Sequence, residues 1–404
     1  MLKTVVIVGA LDTKGAEFAF VRDLVERQGL KTLVVDFGVM GEPAFVPDVG
    51  AKQVAQAGGD DLARLRSGGH KDHAMRTMAA GLAAIVLDVY REGKLDGILG
   101  MGGTGGTSIA TAAMRALPLG VPKVMVSTVG GGDVSAYAGY KDIVFIPSIV
   151  DIAGLNRISR AILANAAGAI AGMVKLEAPP VDTARPLIAA TMLGITTACV
   201  DRARGALEAA GYEVLVFHAT GVGGRTMESL IADGHIAGLL DLTTTELADE
   251  VGGGIYSAGP DRLMAAARAG LPAVLAPGGV DKCCFGGPDT VPDKYRRRTL
   301  YAWNPNTTLL RTNPEENAVV GELIARAANA SRGPVAILLP LKGVSMLDSP
   351  GQPFWDPGAD QACYQAIKNT VHPNIPVIEL DAHINDPGFA DTAASLLLRM
   401  LQSS

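Results

Sequence analysis

The chain has 404 residues, of which 48% are apolar, 19% are charged and 5% are aromatic, and its formal net charge is −6. This length predicts more than one domain, and this apolar content excludes a disordered chain. The negative charge and the few aromatic side chains argue against a nucleic-acid-binding protein, because such proteins present basic faces and stacking platforms.

The start of the chain and its cysteines predict a cytoplasmic protein. The apolar stretch after Met1 ends at Asp12, which is too soon for a signal peptide, and no run of about 18 uncharged apolar residues predicts a membrane-spanning helix. The four cysteines lack the spacing typical of zinc or redox sites, so reduced thiols are the simplest interpretation. We therefore expect neither a membrane association nor a tightly held catalytic metal.

Apolar strand patterns alternate with amphipathic helix patterns through the first half of the chain. Such alternation predicts a parallel sheet that helices cover on both faces. The predicted strands are 5–8, 32–35, 97–101, 123–127 and 144–146. The predicted helices are 16–28, 73–91, 107–117 and 156–174.

A proline-containing segment, 177–186, interrupts this alternation and predicts a linker. The pattern then restarts, and 186–220 repeats the order of elements of 4–38. Further strands are predicted at 238–242, 273–276, 335–339 and 377–380, with a closing helix at 389–401. The sequence therefore predicts two doubly wound α/β lobes, residues 1–178 and 184–404. Ligands of such folds bind at the carboxyl ends of the strands, so we expect an interlobe cleft there.

A glycine-rich loop, Gly100–Ser108, lies between a predicted strand and a predicted helix. It holds five glycines and three hydroxyl residues in nine positions. Glycine lets backbone N–H groups approach an anion, and the following helix adds unpaired N–H groups. A tight turn that needs only small residues is the structural alternative. The pattern favours phosphate binding, with these candidate residues: Gly102, Gly103, Thr104, Gly105, Gly106 and Thr107.

Two known fingerprints match this loop only in part. The spacing of a P-loop is present, but Gly106 stands where its lysine should be. The spacing of a dinucleotide-binding loop is also present, but the next strand runs into Ser127 and Thr128 rather than an acidic residue that would bind a ribose. The sequence therefore predicts phosphate binding without a conventional P-loop and without a dehydrogenase site.

The ends of the first two strands carry further candidates. Lys14 could supply the missing phosphate cation, and Asp12 could bind magnesium through water, with Thr13 between them. A capping turn with a surface lysine is an equally weighted alternative. Asp36 ends the second strand, where its carboxylate could accept hydrogen bonds from ribose hydroxyls.

A second glycine-rich loop and several residues of the second lobe complete the candidates. Residues 127–133 follow a strand and could approach a ligand or form a lid. Arg225 is suited to anion binding, and carboxylates with a histidine could act as acid and base. Structural roles are at least as well supported for this second-lobe group. The candidates are Thr128, Gly130 and Gly131 for the nucleotide, and Arg225, Glu246, His383 and Asp386 for a substrate.

Several segments together resemble one family. They are GMGGTGGTS, STVGGGD, PSIVDIAGLN, VFHATGVGGRTME, LDLTTTELAD and HINDPGFAD. The chain resembles, over essentially its whole length, the uncharacterised protein family that includes the ATP-binding N-terminal domain of the tomato mosaic virus resistance protein. The resemblance implies two Rossmann-like subdomains, with ATP and magnesium bound by the first, and it places the nucleotide on 102–107.

The resemblance also suggests a partner. Plant members carry a further C-terminal domain that resembles a phosphoenolpyruvate-hydrolase-like barrel, and this sequence ends before such a domain. A separately encoded barrel protein is therefore an expected partner, by analogy.

The sequence predicts a Mg-ATP-binding protein with the phosphates on Gly100–Ser108. Two other classes remain open. One is an enzyme, a hydrolase or transferase, that acts on a small phosphorylated or acidic substrate in the cleft. The other is a non-catalytic regulatory module that works as a homo-oligomer.

Overall fold

The computed structural model describes residues 2–67, 70–177 and 185–403. The chain divides into two compact units, Met1–Pro180 and Val181–Ser404. Most of the predicted linker, residues 178–184, lies outside the described residues.

The first unit contains one parallel sheet with the strand order β2-β1-β3-β4-β5. Its strands are β1 (Thr4–Gly9), β2 (Lys31–Asp36), β3 (Gly97–Gly102), β4 (Lys123–Ser127) and β5 (Val144–Pro147). Its helices are α1 (Leu11–Arg27), α2 (Ala51–Ala57), α3 (Leu62–Ser67), α4 (Lys71–Arg91), α5 (Thr104–Ala116), α6 (Ser135–Ala138) and α7 (Arg157–Lys175).

Helices cover both faces of this sheet. Buried side chains of α1 and α7 form one apolar core with the strands, and those of α2, α4 and α5 form the other. Because both faces are covered, the central strands are nearly continuous apolar runs, and all of β3 and β4 is buried. The predicted doubly wound architecture is therefore confirmed for this unit.

The second unit contains a six-stranded parallel sheet and a smaller antiparallel one. Its strands are β6 (Leu187–Met192), β7 (Glu213–His218), β8 (Gly238–Thr243), β9 (Ala273–Gly278), β10 (Lys282–Phe285), β11 (Leu300–Asn304), β12 (Thr307–Arg311), β13 (Val335–Pro340) and β14 (Val377–Leu380). Its helices are α8 (Thr197–Ala209), α9 (Val222–Ala232), α10 (Thr245–Gly252), α11 (Met264–Ala269), α12 (Pro314–Asn329), α13 (Pro357–Thr370) and α14 (Pro387–Ser403).

The parallel sheets of the two units share one topology. The order in the second unit is β14-β13-β9-β8-β6-β7, so its first strand also lies between its second and third. The predicted reuse of one supersecondary unit is therefore confirmed. In such sheets the strand order reverses between the first and third strands, and the crevice at their carboxyl ends is the usual ligand site.

The antiparallel sheet, in the order β10-β12-β11, was not predicted. It is inserted between β9 and α12 and contains both adjacent cysteines, Cys283 and Cys284. Three consecutive arginines, 296–298, precede β11. The last of them has a structural role, because Arg298 forms a bidentate ion pair with Glu316 at 2.7 Å. Short alternating strands within a long α/β pattern give a weak periodic signal, which explains the omission.

Two helices begin three or more residues before their predicted starts. Helix α5 begins at Thr104, three residues before the predicted start, so the glycine-rich loop includes the first helical turn. Helix α1 begins at Leu11 and contains a kink at Lys14, whose φ is −133°. Glycines and turn residues have low helix propensity, and here tertiary packing overrides it.

Candidate functional site

A cavity of about 590 Å³ lies at the carboxyl ends of β1, β2 and β3 in the first unit. We call it the N-terminal cavity. It borders the residues after β1 (Ala10 to Lys14), after β2 (Phe37 to Met40) and after β3 (Gly102 to Gly106). It therefore lies at the point where the strand order reverses, between β1 and β3.

The glycine-rich loop forms one wall of this cavity. Gly102, Gly103, Gly105 and Gly106 line it, and Gly103 is the extended residue before α5. A Cβ on Gly102 would lie 2.9 Å from Cα of Gly106, so only glycine lets the strand end approach the helix so closely. A Cβ on Gly105 would meet only the Met75 side chain, at 3.6 Å. The first N–H groups of α5 have no partner within the helix and are available to an anion.

Two hydroxyl residues of the loop do not line the cavity. Thr107 is fully buried, and its hydroxyl forms hydrogen bonds with Ser127 Oγ at 2.6 Å and with the carbonyl oxygen of Gly102. Thr104 is exposed at the first position of α5. The structure therefore gives Thr107 a structural task, which fastens α5 to the end of β4.

Asp12, Thr13 and Lys14 all line the N-terminal cavity. Oδ2 of Asp12 accepts hydrogen bonds from the amides of Met40 (2.7 Å) and Gly41 (3.0 Å), while its Oδ1 is buried without a partner. The Lys14 ammonium donates to the carbonyl oxygen of Ile152. Both side chains are therefore anchored at the cavity wall, and each keeps hydrogen-bonding capacity.

The remaining lining of the cavity combines basic residues with apolar side chains. Arg66, His70 and Lys71 belong to it and are exposed. Its apolar lining is rich in methionine, whose unbranched chain adapts to irregular shapes. The apolar residues are Phe37, Val39, Met40, Leu65, Ala74, Met75, Met78, Met101 and Ile109.

Asp36 lies beneath the cavity rather than in its wall. It is 2% exposed, and its Oδ1 accepts hydrogen bonds from the amides of Leu11 (3.0 Å) and Gly38 (2.9 Å). Burial raises the pKa of this carboxyl, and the two amides partly oppose that rise. Its carboxylate fixes the chain after β1 to the chain after β2, so its predicted contact with a ribose has no support in this geometry.

The second glycine-rich loop, 127–133, lies beside the first loop but outside the cavity lining. The amide of Thr128 donates to the carbonyl oxygen of Gly102 at 3.2 Å, and the amide of Gly130 donates to that of Ser127. A Cβ on Gly130 would meet the backbone of Ile146 and Pro147 at 3.2 Å. Thr128 thus supports the end of β3, and the contact of Thr128, Gly130 and Gly131 with a nucleotide stays a prediction.

In the second unit, the candidate Glu246 is fully buried and fully engaged. Its Oε1 accepts hydrogen bonds from the amides of Gly221 (2.7 Å) and Gly224 (3.0 Å), and its Oε2 forms an ion pair with Arg262 at 2.6 Å. Arg225 donates to the carbonyl oxygens of Gly221 and Ser257. These contacts engage both oxygens of a fully buried carboxylate and give Glu246 a structural role, so its role in substrate binding stays a prediction.

His383 and Asp386 cap the turn before α14. His383 Nε2 lies 2.8 Å from the carbonyl oxygen of Ser345, and its Nδ1 accepts a hydrogen bond from the amide of Asn385 at 3.1 Å. Oδ2 of Asp386 accepts a hydrogen bond from the amide of His383 at 2.8 Å. Both ring nitrogens are engaged, so the structure supports structural roles rather than acid–base chemistry.

Sequence reasoning missed a buried ion cluster around Arg262. Its guanidinium is fully buried and binds Asp241 with two hydrogen bonds, of 2.6 and 2.9 Å, besides Glu246 and Glu228. The neighbouring acids raise its pKa further above the usual range, against the effect of burial. Nothing in the local pattern distinguishes Arg262 from a surface arginine, since its partners come from β8, α9 and α10.

A second cavity, of about 190 Å³, lies in the second unit and was also missed. We call it the C-terminal cavity. Residues after β6, the end of β7 and the antiparallel sheet line it, including His218, Lys282 and Trp303. The described residues contain no group of three or more His, Cys, Asp or Glu side chains placed to hold a metal ion. Nor does any helix among them have the length and apolar character needed to cross a membrane.

Comparison with solved structures adds little. A putative UDP-N-acetylglucosamine 2-epimerase from Listeria monocytogenes is 10% identical, with a TM-score of 0.25 over 68% of this chain and 79% of that one. MurG of Acinetobacter baumannii is 11% identical, with a TM-score of 0.23 over 98% of this chain and 100% of that one. Scores this low carry no argument about function.

Sequence relatives are far more similar. A "UPF0261 protein" of Clostridium tetani is 47% identical over 100% of both chains, and one of Rhizobium meliloti is 44% identical over 98% of both. The "ToMV resistance protein Tm-1(GCR237)" of Solanum lycopersicum is 39% identical over 82% of this chain and 45% of that protein.

Family descriptions match both units. Residues 3–179 match the N-terminal domain of the "Uncharacterised protein family (UPF0261)", and residues 185–401 match its C-terminal domain. The chain therefore belongs to the UPF0261 family.

Proposed function

We propose that the first unit binds ATP, with magnesium, in the N-terminal cavity. One observation carries this proposal: a large cavity lies where the strand order reverses, and the glycine-rich N-terminus of α5 forms its wall. Doubly wound sheets bind phosphorylated ligands at this point, because backbone amides and the positive end of a helix face the ligand there.

The phosphate groups would lie against the glycine-rich loop. Gly103, Gly105 and Gly106 line the cavity without side chains, so phosphate oxygens can approach the N–H groups of the first turn. Lys14 lines the same cavity and offers a cation in place of the lysine that a P-loop carries. Its existing bond to the carbonyl oxygen of Ile152 uses one of three N–H donors, which leaves donors for a phosphate.

The base of the nucleotide would lie against the methionine side chains of the cavity lining. A cavity of about 590 Å³ falls within the range of small-molecule and cofactor sites. Met75 and Met78 offer a polarisable apolar surface, and sulfur–aromatic contacts stabilise a planar ring. A cavity that combines apolar side chains with an anion-binding loop suits the two parts of a nucleotide.

Asp12 is the residue that fits a magnesium ion. Magnesium is commonly held by one or two carboxylates together with the phosphates and water. Asp12 lines the cavity, and its Oδ1 has no hydrogen-bond partner in the described structure. A bound ion would supply charge neutralisation for the phosphates, and Asp12 would orient it from the end of β1.

Among the described residues of the second unit, no contact favours the alternative, an enzyme that uses Arg225, Glu246, His383 and Asp386, because other groups of the fold already bind these side chains. A cytoplasmic location, a homo-oligomeric state and a barrel-protein partner likewise remain expectations from the sequence. The nucleotide proposal does not depend on any of them.

The test is calorimetric titration with Mg-ATP, Mg-GTP and NAD on the unchanged protein and on three variants at Gly105. Gly105→Ala fits the available space, because its Cβ would meet only Met75 at 3.6 Å. Gly105→Gln adds bulk, and Gly105→Glu adds the same bulk with a negative charge. A carboxylate near the start of α5 also suits the helix dipole, so the Glu variant should remain folded.

We expect Mg-ATP binding by the unchanged protein and by Gly105→Ala. Gly105→Glu should weaken it by at least about 100-fold, because like charges would meet in a partly buried site. Gly105→Gln should lie between them, which separates charge from bulk. No nucleotide binding by the unchanged protein would refute the proposal, and equal affinities of the Gln and Glu variants would place the phosphates elsewhere.

A further inference from the structure

The C-terminal cavity contains a buried lysine, Lys282, whose ammonium donates a hydrogen bond to no carboxylate among the described residues. Lys282 on β10 is 1% exposed and is one of the residues that line the cavity. The ammonium donates to Thr245 Oγ1 at 3.0 Å and to Cys284 Sγ at 3.0 Å. An ammonium has three N–H donors, and these two bonds use two of them, so one N–H remains for a ligand.

The surroundings of this lysine favour its charged form. Burial works against the charged form, but Cys284 and Asp249 outweigh it and raise the pKa of Lys282. A buried ammonium with incomplete hydrogen bonding is costly, and such groups concentrate at binding sites. Nearby, the buried Oδ2 of Asp249 also lacks a partner, so the polar groups around Lys282 are only partly satisfied within the fold.

The wall of the cavity presents donors and rings rather than acids. Among the described residues, no Asp or Glu lines it. His218 and Asn304 can donate hydrogen bonds, and Tyr256 and Trp303 supply aromatic surface. The Lys282 ammonium lies 5.9 Å from the centre of the Tyr256 ring. The site thus combines one buried cation with an aromatic surround, which suits a small anion with a planar body.

We propose that the C-terminal cavity binds a small organic carboxylate, with the carboxylate on Lys282 and the body of the ligand against Trp303 and Tyr256. Its volume of about 190 Å³ lies below the usual range of nucleotide-sized pockets, so this ligand differs from the one in the first unit. The antiparallel sheet has a role in this site: it brings Lys282 and Trp303 over the ends of β6 and β7.

The test uses benzoate as the probe and benzamide as its neutral analogue. Dissociation constants are measured by ligand-observed NMR on the full chain, without nucleotide. Benzoate should bind at least about tenfold more tightly than benzamide, because a charge-assisted bond in a desolvated site depends on the ligand's charge. Lys282→Met should remove this difference. Lys342→Met, which alters an exposed lysine paired with Asp381, should preserve it.

A second variant, Asn304→Asp, tests the proposal independently in case Lys282→Met does not fold. Asn304 is exposed on the cavity wall, so Asn304→Asp should fold normally while it places a negative charge near the carboxylate. This variant should bind benzoate at least about fivefold more weakly than the unchanged protein, and its affinity for benzamide should stay the same. The proposal is overturned if benzoate shows no binding at about 10 mM, a concentration that detects even weak complexes. It is equally overturned if benzoate and benzamide bind alike, or if Asn304→Asp binds benzoate as the unchanged protein does.

Discussion

The two units place different chemistry at the same point of the same topology. In the first unit, the helix after the third strand begins Thr104-Gly105-Gly106, and a cavity of about 590 Å³ faces it. In the second unit, the corresponding helix begins Thr245-Glu246-Leu247, and all three residues are buried. Both strands before these helices have six residues and begin with glycine, so Gly105 and Glu246 hold equivalent positions.

This pair of residues shows how one fold position can be opened or filled. Gly105 leaves the helix N-terminus open to an anion. Glu246 brings a carboxylate that binds amides of the neighbouring helix α9 and the guanidinium of Arg262. The second unit therefore supplies its own anion where the first unit would receive one from a ligand. A repeated fold is thus no evidence for a repeated function.

We expect the largest effect from removal of the buried Arg262 guanidinium in the second unit. Arg262→Met leaves Asp241, Glu246 and Glu228 buried without their counter-charge. Loss of one partner of a buried ion cluster costs about 3–5 kcal/mol. We expect the free energy of unfolding of the second unit to fall by this amount, as measured by urea denaturation.

Arg268→Met is the matched control for that variant. Arg268 lies six positions away and forms an exposed pair with Asp261. Exposed pairs contribute at most about 1 kcal/mol, so the stability of this variant should change little. Similar losses in both variants would mean that the Arg262 cluster does not hold the second unit together.

The buried carboxyl of Asp249 should make the stability of the second unit depend on pH. Burial raises the pKa of Asp249 to about 6, despite opposing contributions from Lys282 and two backbone amides. The folded form therefore holds this proton when the unfolded form has lost it, so stability falls as pH rises from about 4 to 6. Asp249→Asn removes that cost, and its stability relative to the unchanged protein should rise by up to about 3 kcal/mol across this range.

The measurement is the difference between the urea-unfolding free energies of the two proteins at several values between pH 4 and pH 8. The difference should level off above pH 6, once the carboxyl is ionised in both states. A difference that stays constant over the whole range would mean that Asp249 titrates as it does in the unfolded chain.

The strands and helices of both parallel sheets were predictable because their signals are local. Apolar runs, helix periodicity and breaking glycines placed β4 and β14 at their observed bounds, and the glycine-rich loop indicated the wall of the N-terminal cavity. The antiparallel sheet was missed, since its three short strands interrupt a pattern that predicts helices and parallel strands.

The tasks of individual polar residues were less predictable, because they depend on partners distant in sequence. Glu246 and His383 are residue types that often act in catalysis. In the fold, however, Glu246 forms an ion pair with Arg262, and His383 forms a hydrogen bond with the carbonyl oxygen of Ser345. Lys282 and Trp303 have no motif around them and meet only when β10 and β11 fold over the ends of β6 and β7. Sequence patterns identify exposed loops at strand ends, but not which of their side chains the fold already uses.

The smallest expected effect is at Thr128, in the second glycine-rich loop. The sequence predicts that Thr128 contacts the nucleotide, but its side chain is exposed outside the cavity lining, and only its amide holds the end of β3. Thr128→Val keeps that amide and removes the hydroxyl. Mg-ATP affinity should then change by less than about twofold, as expected for a surface substitution. A calorimetric loss as large as that of Gly105→Glu would show that loop 127–133 closes over the nucleotide, and the glycine-rich loop would then form only part of the phosphate site.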